Sequence, residues 1–315
     1  MKRLADEIWG DCDGEKVKER KLGAGRIVCG RSMREIFESA NIPPDFESSG
    51  GENSPLGFIH RSAADAEIYF VTNREDRNER LQCTFRVSGR RPELWDPVSG
   101  RTWPAAAFRQ ESGRTTLPLQ FAPYGSLFVI FRGTIPPNAA GSASRNFPTY
   151  TNAEELTGPW TVAFDPKWGG PASVEFPELV SWTTRPEEGI KHYSGTATYR
   201  RRFDLPLGIN KAGNRIALDL GKVDYVARVR LNGKDLGVVW TAPWRIEITE
   251  AVKPIGNDLE IKVVNLWPNR IIGDAALPPD KRYTKTNIVY KKDDPLLESG
   301  LLGPVRIETI DDSGM

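Results

Sequence analysis

Between Tyr193 and Arg270 the sequence repeats one arrangement: a short run of alternating apolar and polar residues, then a tight turn of Gly, Asn or Asp. Thr196–Phe203, Arg215–Leu220, Tyr225–Leu231, Leu236–Trp240 and Leu259–Val264 read as strands, and a closing strand is expected over Gly303–Glu308. Asn232-Gly233 between two such runs is the strongest local signal for a β-hairpin. Strands joined in this way predict a jelly-roll sandwich. Tryptophans stand near the turns and not in mid-strand, so the sandwich should carry an aromatic, polar loop edge, which suits a sugar ring.

The rest of the chain continues the β pattern with one exception. Residues 58–133 alternate in short strands: Glu67–Asn73, Leu81–Val87, a strand from Pro92 into the turn ending at Gly100, Leu117–Leu119 and Ser126–Phe131. That spacing predicts a small antiparallel sandwich. Residues 134–150, rich in Pro, Gly, Ala and Ser, read as a linker, and residues 151–315 as the jelly roll. The exception is residues 1–57. Arg26–Cys29 reads as a strand, followed by Met33, Ile36, Phe37 and Ala40 at helical spacing. Ser32 and Glu35 form a capping-box pattern, and Asn41-Ile42-Pro43-Pro44 ends that helix. One strand and one helix cannot bury their own faces, so this segment reads as the tail of a larger α/β domain or a packing arm.

With 29 glycines and 24 prolines in 315 residues, the chain is turn-rich. Its net charge of +1 demands no basic face, which argues against nucleic acid as a partner. No segment approaches the ~18 apolar residues of a membrane span. Met1–Gly14 is charged and lacks a signal-peptide apolar run, so the chain as written reads as soluble and cytoplasmic. Cys12, Cys29 and Cys83 fit neither a metal motif nor a full disulfide set and are expected as buried free thiols. His60 and His192 lack zinc-ligand spacing.

Two resemblances go further. Tyr193-Ser194-Gly195 with Tyr199-Arg200-Arg201, the Asn232-Gly233-Lys234 turn with Gly237, Asn257-Asp258-Leu259 and Ser299-Gly300-Leu301 resemble the galactose-binding-like jelly roll of family 2 glycoside hydrolases. Phe58-Ile59-His60-Arg61, Asp65 and Ile68–Asn73 are similar to the segment after the catalytic barrel in glycoside hydrolase family 106, the α-L-rhamnosidases. Gly23–Val28, Ile42–Phe46, Asn265–Arg270 and Leu301–Val305 fit that family as well. Members are much longer and hold their catalytic carboxylates on a (β/α)₈ barrel, which takes ~250 residues. The resemblance therefore implies a C-terminal portion without the catalytic centre. It also implies a parent family that is often exported.

On the family 2 resemblance the loop region 266–302, after the matching strand, reaches toward the barrel's substrate pocket. Asn265, Asn269, Arg270 and Asp274 become candidates to touch sugar, together with Trp240, Trp244 and Trp267. Indole faces stack on sugar C–H faces, although the same tryptophans could plug a core or an interface. Trp160, Trp168 and Trp182 read as packing residues. No cofactor is called for. Jelly rolls of this type often hold a structural calcium, with Asp165 and Glu308 as its candidate carboxylates. The expected partners are a rhamnose-containing glycan and a separate catalytic domain or a second copy. Three functions stay open: a carbohydrate-associated accessory portion, a stand-alone α-L-rhamnosidase with an unrecognised carboxylate pair, and a structural interaction module.

Overall fold

A computed structural model describes residues 1–209 and 214–315. The chain opens with helix α1 (Lys2–Trp9), the hairpin β1 (Glu19–Leu22) and β2 (Gly25–Val28), and helix α2 (Met33–Ser39). The capping box forms as the sequence predicts: the Ser32 amide donates to Glu35 Oε2 at 2.6 Å, and the Glu35 amide donates to Ser32 Oγ at 3.3 Å. No residue before Pro55 is buried among those described, and Met33 and Phe37 are 63% and 44% exposed. Cys12 and Cys29 are therefore only half-buried, unlike Cys83. The sequence expectation of three buried thiols fails because this segment has no core of its own.

The next strands are β3 (Phe46–Ser48), β4 (Leu56–Ser62), β5 (Ala66–Asn73), β6 (Glu79–Phe85) and β7 (Arg90–Trp95). They are followed by β8 (Thr102–Pro104), β9 (Arg109–Glu111), β10 (Arg114–Phe121) and β11 (Ser126–Thr134). They make two antiparallel sheets, ordered β3-β6-β10-β9 and β4-β5-β11-β7-β8. Alternation over Tyr69–Asn73 in β5 and along all of β10 turns one side of each sheet inward. Tyr69, Val71, Cys83, Phe85, Leu117, Val129 and Phe131 meet there in one core. Residues 135–148 are held against this sandwich. Asn146 is buried, donating to the carbonyls of Ala107 and Pro118 and accepting from the Ala107 amide.

The second sandwich begins with β12 (Thr149–Glu155), β13 (Trp160–Ala163), β14 (Val174–Phe176), helix α3 (Glu188–Lys191) and β15 (Thr196–Phe203). Then come β16 (Arg215–Asp219), β17 (Lys222–Asp224), β18 (Val226–Leu231), β19 (Lys234–Val239) and β20 (Arg245–Glu247). β21 (Asn257–Val264), helix α4 (Pro268–Ala275), β22 (Gly300–Gly303) and β23 (Arg306–Asp311) complete it. A six-stranded sheet, β14-β13-β15-β21-β18-β19, faces a four-stranded one, β12-β23-β16-β20, and β17 pairs with β22. Between them Trp160, Phe176, Trp182, Tyr193, Tyr199, Leu218, Val229, Ile261 and Ile307 are buried in a second core. The expectation of a mainly β chain with two sandwiches matches what is seen.

Local chemistry explains several details. Asn232 and Gly233 both have positive φ, 54° and 82°, the hairpin geometry that Asn-Gly favours. Two expectations are corrected. The closing strand over 303–308 is split into β22 and β23, because Pro304 has no N–H to give a ladder. The region 266–302 is not one long loop. It opens with α4, whose first turn takes Pro268 without losing a hydrogen bond.

Candidate functional site

One end of the six-stranded sheet gathers four strand termini. Thr196 of β15 pairs with Val264 of β21, Val264 pairs with Val226 of β18, and Ala227 pairs with Val239 of β19. The residues just past these ends, Gly195, Asn265, Tyr225 and Trp240, therefore form one rim. Trp240 is 57% exposed and Trp267 49% exposed. Trp267 stands edge-on to Trp168, centroids 5.1 Å apart, so its ring is held from one side and open on the other. Trp168 itself packs half-buried against the second core, and Trp160 and Trp182 lie within that core, so all three are packing residues, as the sequence predicts. Trp244 packs half-buried against the core and is not part of the open rim.

A buried polar scaffold lies at the same sheet end, around the ends of β15 and β21. Asn265 donates to the Tyr193 carbonyl at 2.9 Å and to Ser299 Oγ at 3.0 Å, and it accepts from the Gly195 amide at 2.9 Å. Asn269 donates to the Leu297 carbonyl and Ser299 Oγ, and it accepts from the Leu297 amide. Arg270 Nε reaches Asp274 Oδ1 at 3.1 Å, and its guanidinium lies 4.5 Å from the Tyr283 ring centre. The other Asp274 oxygen accepts from the Thr284 amide and hydroxyl, each at 2.7 Å. Asn265, Asn269, Arg270 and Asp274 are all buried and fix the loop 276–299 to the sheet end. Buried polar groups need such partners, and these four find theirs within the protein. The four polar residues picked from the sequence are brought together, but as a buried support of the sheet end.

A charged cluster beside the rim escaped the sequence reading. Lys222 Nζ lies 3.6 Å from Asp224 Oδ2 and in close contact with Glu298 Oε2. Asp224 Oδ2 is buried without a hydrogen-bond partner. Burial pushes the Asp224 carboxyl above the usual range, and the Glu298 charge adds to this against the pull of Lys222. No local motif marks these residues. Only the β17–β22 pairing, Asp224 opposite Gly300, brings Glu298 beside Lys222.

The candidate calcium carboxylates do not converge. Glu308 is engaged by Arg245 at 2.5 Å, and Asp165 caps the turn at Lys167. Among the described residues no group of three His, Cys, Asp or Glu side chains could hold a metal ion. No helix among them is long and apolar enough to cross a membrane.

Comparison with known proteins places this geometry. Residues 1–110 match the family described as alpha-L-rhamnosidase, glycoside hydrolase family 106. Residues 186–290, which contain every rim and scaffold residue picked from the sequence, match the galactose-binding domain-like family of glycosyl hydrolase family 2. The solved rhamnosidase of Novosphingobium sp. PP1Y is 33% identical with a TM-score of 0.82, covering 98% of this chain and 28% of that one. A Formosa agariphila protein, provisionally named a β-glucuronidase, is 41% identical over 49% of this chain and 15% of its own length. The β-glucuronidase of Ruminococcus gnavus is 21% identical over 54% of this chain and 30% of its own, with a TM-score of 0.38. The chain thus spans under a third of the length of each of these proteins. In sequence and in fold it is similar to a segment of an α-L-rhamnosidase-like glycoside hydrolase that carries a galactose-binding-like sandwich.

Proposed function

We propose that this chain is a carbohydrate-associated, non-catalytic portion of a rhamnosidase-like hydrolase, and that its rim at Trp240 and Trp267 contacts a rhamnose-containing glycan. The observation that carries the reading is the pair of open indoles at a sheet end braced by buried amides, within a sandwich matching a galactose-binding-like domain. An indole face offers apolar area to sugar C–H groups, and its N–H donates a hydrogen bond. The scaffold fixes the rim before ligand arrives, so little ordering cost falls on binding. The catalytic centre would come from a barrel, and the described residues form sandwiches and no barrel. A barrel-bearing partner is accordingly the protein class this chain would support.

The test is calorimetric titration with L-rhamnose and with a rhamnose-bearing pectic oligosaccharide. Trp267→Ala should abolish binding while changing stability by no more than about 1 kcal/mol, as expected for a half-exposed side chain. Trp240→Ala should weaken binding at similar stability. Binding unchanged in both variants would remove the rim from the reading.

One observation favours a second reading, a stand-alone glycosidase: Asp224 and Glu298 flank one lysine, and the Asp224 carboxyl is raised by burial. A carboxyl raised by burial with a second carboxylate close by suits acid–base work. Turnover of an aryl α-L-rhamnoside by the purified chain, lost in Asp224→Asn, would establish it and sink the non-catalytic reading. Asp224→Asn also has an expected effect on stability. A carboxyl raised in the folded state favours folding while protonated and disfavours it as pH climbs from the unfolded to the folded pKa. The asparagine variant should therefore melt higher than the parent at pH 7, with the advantage fading toward pH 4. A melting-temperature series across that range checks the sign.

A further inference from the structure

The first sandwich carries a polar groove of about 730 Å³ on the outer face of the sheet β3-β6-β10-β9. Its floor is a single row across the four strands. Glu47 pairs with Thr84, Thr84 with Thr116, and Thr116 with Arg109. At ~4.8 Å between strands, the row spans roughly 14 Å. Gln82 and Pro118 make a second row beside it. One wall is Phe108 with the segment that follows the sandwich, bonded as an added edge strand: the Gly141 amide donates to the Phe108 carbonyl, and the Ala143 amide to the Ala106 carbonyl. A Cβ at Gly141 would sit 2.0 Å from the Ala106 oxygen, so only glycine lets this wall close.

The side chains on the floor keep free bonding capacity. The Thr84 and Thr116 hydroxyls share one hydrogen bond at 2.9 Å, which leaves the proton of the acceptor free to donate. Among the described residues, the Gln82 side-chain amide makes no hydrogen bond. Glu47 is already neutralised by Arg114 at 2.5 Å. Arg109 is exposed and, among the described residues, its guanidinium has neither an ion pair nor a hydrogen bond. The groove therefore offers hydroxyls, an amide, an apolar edge at Phe108 and Pro118, and one uncommitted planar cation. Hydroxyl and amide groups match sugar hydroxyls, the apolar edge matches sugar C–H faces, and an unpaired guanidinium takes a carboxylate in bidentate fashion. We propose that this groove is a second carbohydrate site, separate from the tryptophan rim, that binds an acidic oligosaccharide through a uronic-acid carboxylate on Arg109.

The experiment titrates the full chain with a linear trimer of galacturonic acid and, in parallel, with the same trimer fully methyl-esterified. The free acid should bind, more weakly as salt rises, and the ester should bind at least about tenfold more weakly, in keeping with a charge-assisted hydrogen bond. Arg109→Gln should remove that difference without altering the melting temperature, since the side chain is exposed. Thr84→Val, near-isosteric, should weaken both trimers. Trp267→Ala should leave binding of the acid unchanged, which separates this site from the rim whatever becomes of the rim. Equal binding of acid and ester, an unaffected Arg109→Gln variant, loss of binding in Trp267→Ala, or no binding by the parent chain would each overturn the assignment. So would an acid-independent shift of the chain to dimer, because it would mark the groove as a contact between copies.

Discussion

Trp182→Ala is expected to cost about 3–5 kcal/mol of stability, the range for removing a fully buried large aromatic side chain. Trp182 is 0% exposed and lies edge-on to Phe164 and Tyr193, with centroids 5.4 and 5.6 Å away. Its indole N–H donates to the Tyr199 hydroxyl at 2.5 Å, and that hydroxyl accepts from the Leu301 amide as well. Deleting the indole leaves a cavity and strips Tyr199 of a donor inside the core. Burial pushes the Tyr199 phenol up to about 12, so it stays neutral and cannot relieve the loss by ionising near neutral pH. The effect should reach the rim too, because the Trp182 amide donates to the Ser299 carbonyl, and Ser299 Oγ accepts from both Asn265 and Asn269. Urea unfolding measures the cost. Tyr199→Phe, which removes the hydroxyl alone but leaves two buried donors without it, should cost less, about 1–3 kcal/mol. A loss under 1 kcal/mol in Trp182→Ala would mean that the core refills the cavity.

Asp274→Ala should be nearly as damaging, at about 3–5 kcal/mol, because it leaves a buried guanidinium without its counter-charge. The side chains of Arg270 and Asp274 are 5% and 3% exposed, one turn apart on α4. Asp274 also anchors Thr284 through two hydrogen bonds, so the stretch beyond α4 should exchange amide hydrogen faster in the variant. The double replacement Arg270→Met with Asp274→Leu removes both charges and keeps apolar volume. It should recover most of the loss, since a paired buried charge adds little over well-packed apolar groups. If the double variant is as unstable as Asp274→Ala, the damage comes from the Thr284 anchor and not from the orphaned charge. A threonine-to-valine change at Thr284 then measures that anchor directly.

Legibility in the sequence followed the reach of each interaction. Strand β15 is read to the residue from Thr196 to Phe203, because alternation over eight positions is strong and purely local. The Asn232-Gly233 hairpin and the Ser32–Glu35 cap are legible for the same reason: each is complete within a few residues. Strands β8 and β9, three residues each, carry too few positions for a period to show. Helix α4 escaped because eight residues starting at Pro268 read as a turn after a strand. The tryptophans were picked out by type, yet type alone could not separate Trp240, open at the rim, from Trp244, packed on the core.

The amino-acid sequence by itself determined the mainly β architecture and the Asn232-Gly233 hairpin at the edge of the second sandwich's larger sheet, and it marked the tryptophans beside turns as candidates. Tertiary structure alone decided which of the chosen residues face solvent and which hold the rim up. Asn265, Asn269, Arg270 and Asp274 look in sequence like polar loop residues free to meet a sugar, but the folded chain closes over them. It also placed Glu298 beside Lys222 and Asp224, and Arg109 in a row with Glu47, across strands far apart in the chain. The physical reason is common to both cases. Periodicity and turn chemistry act over a few residues, whereas burial and charge pairing are set by which strands become neighbours.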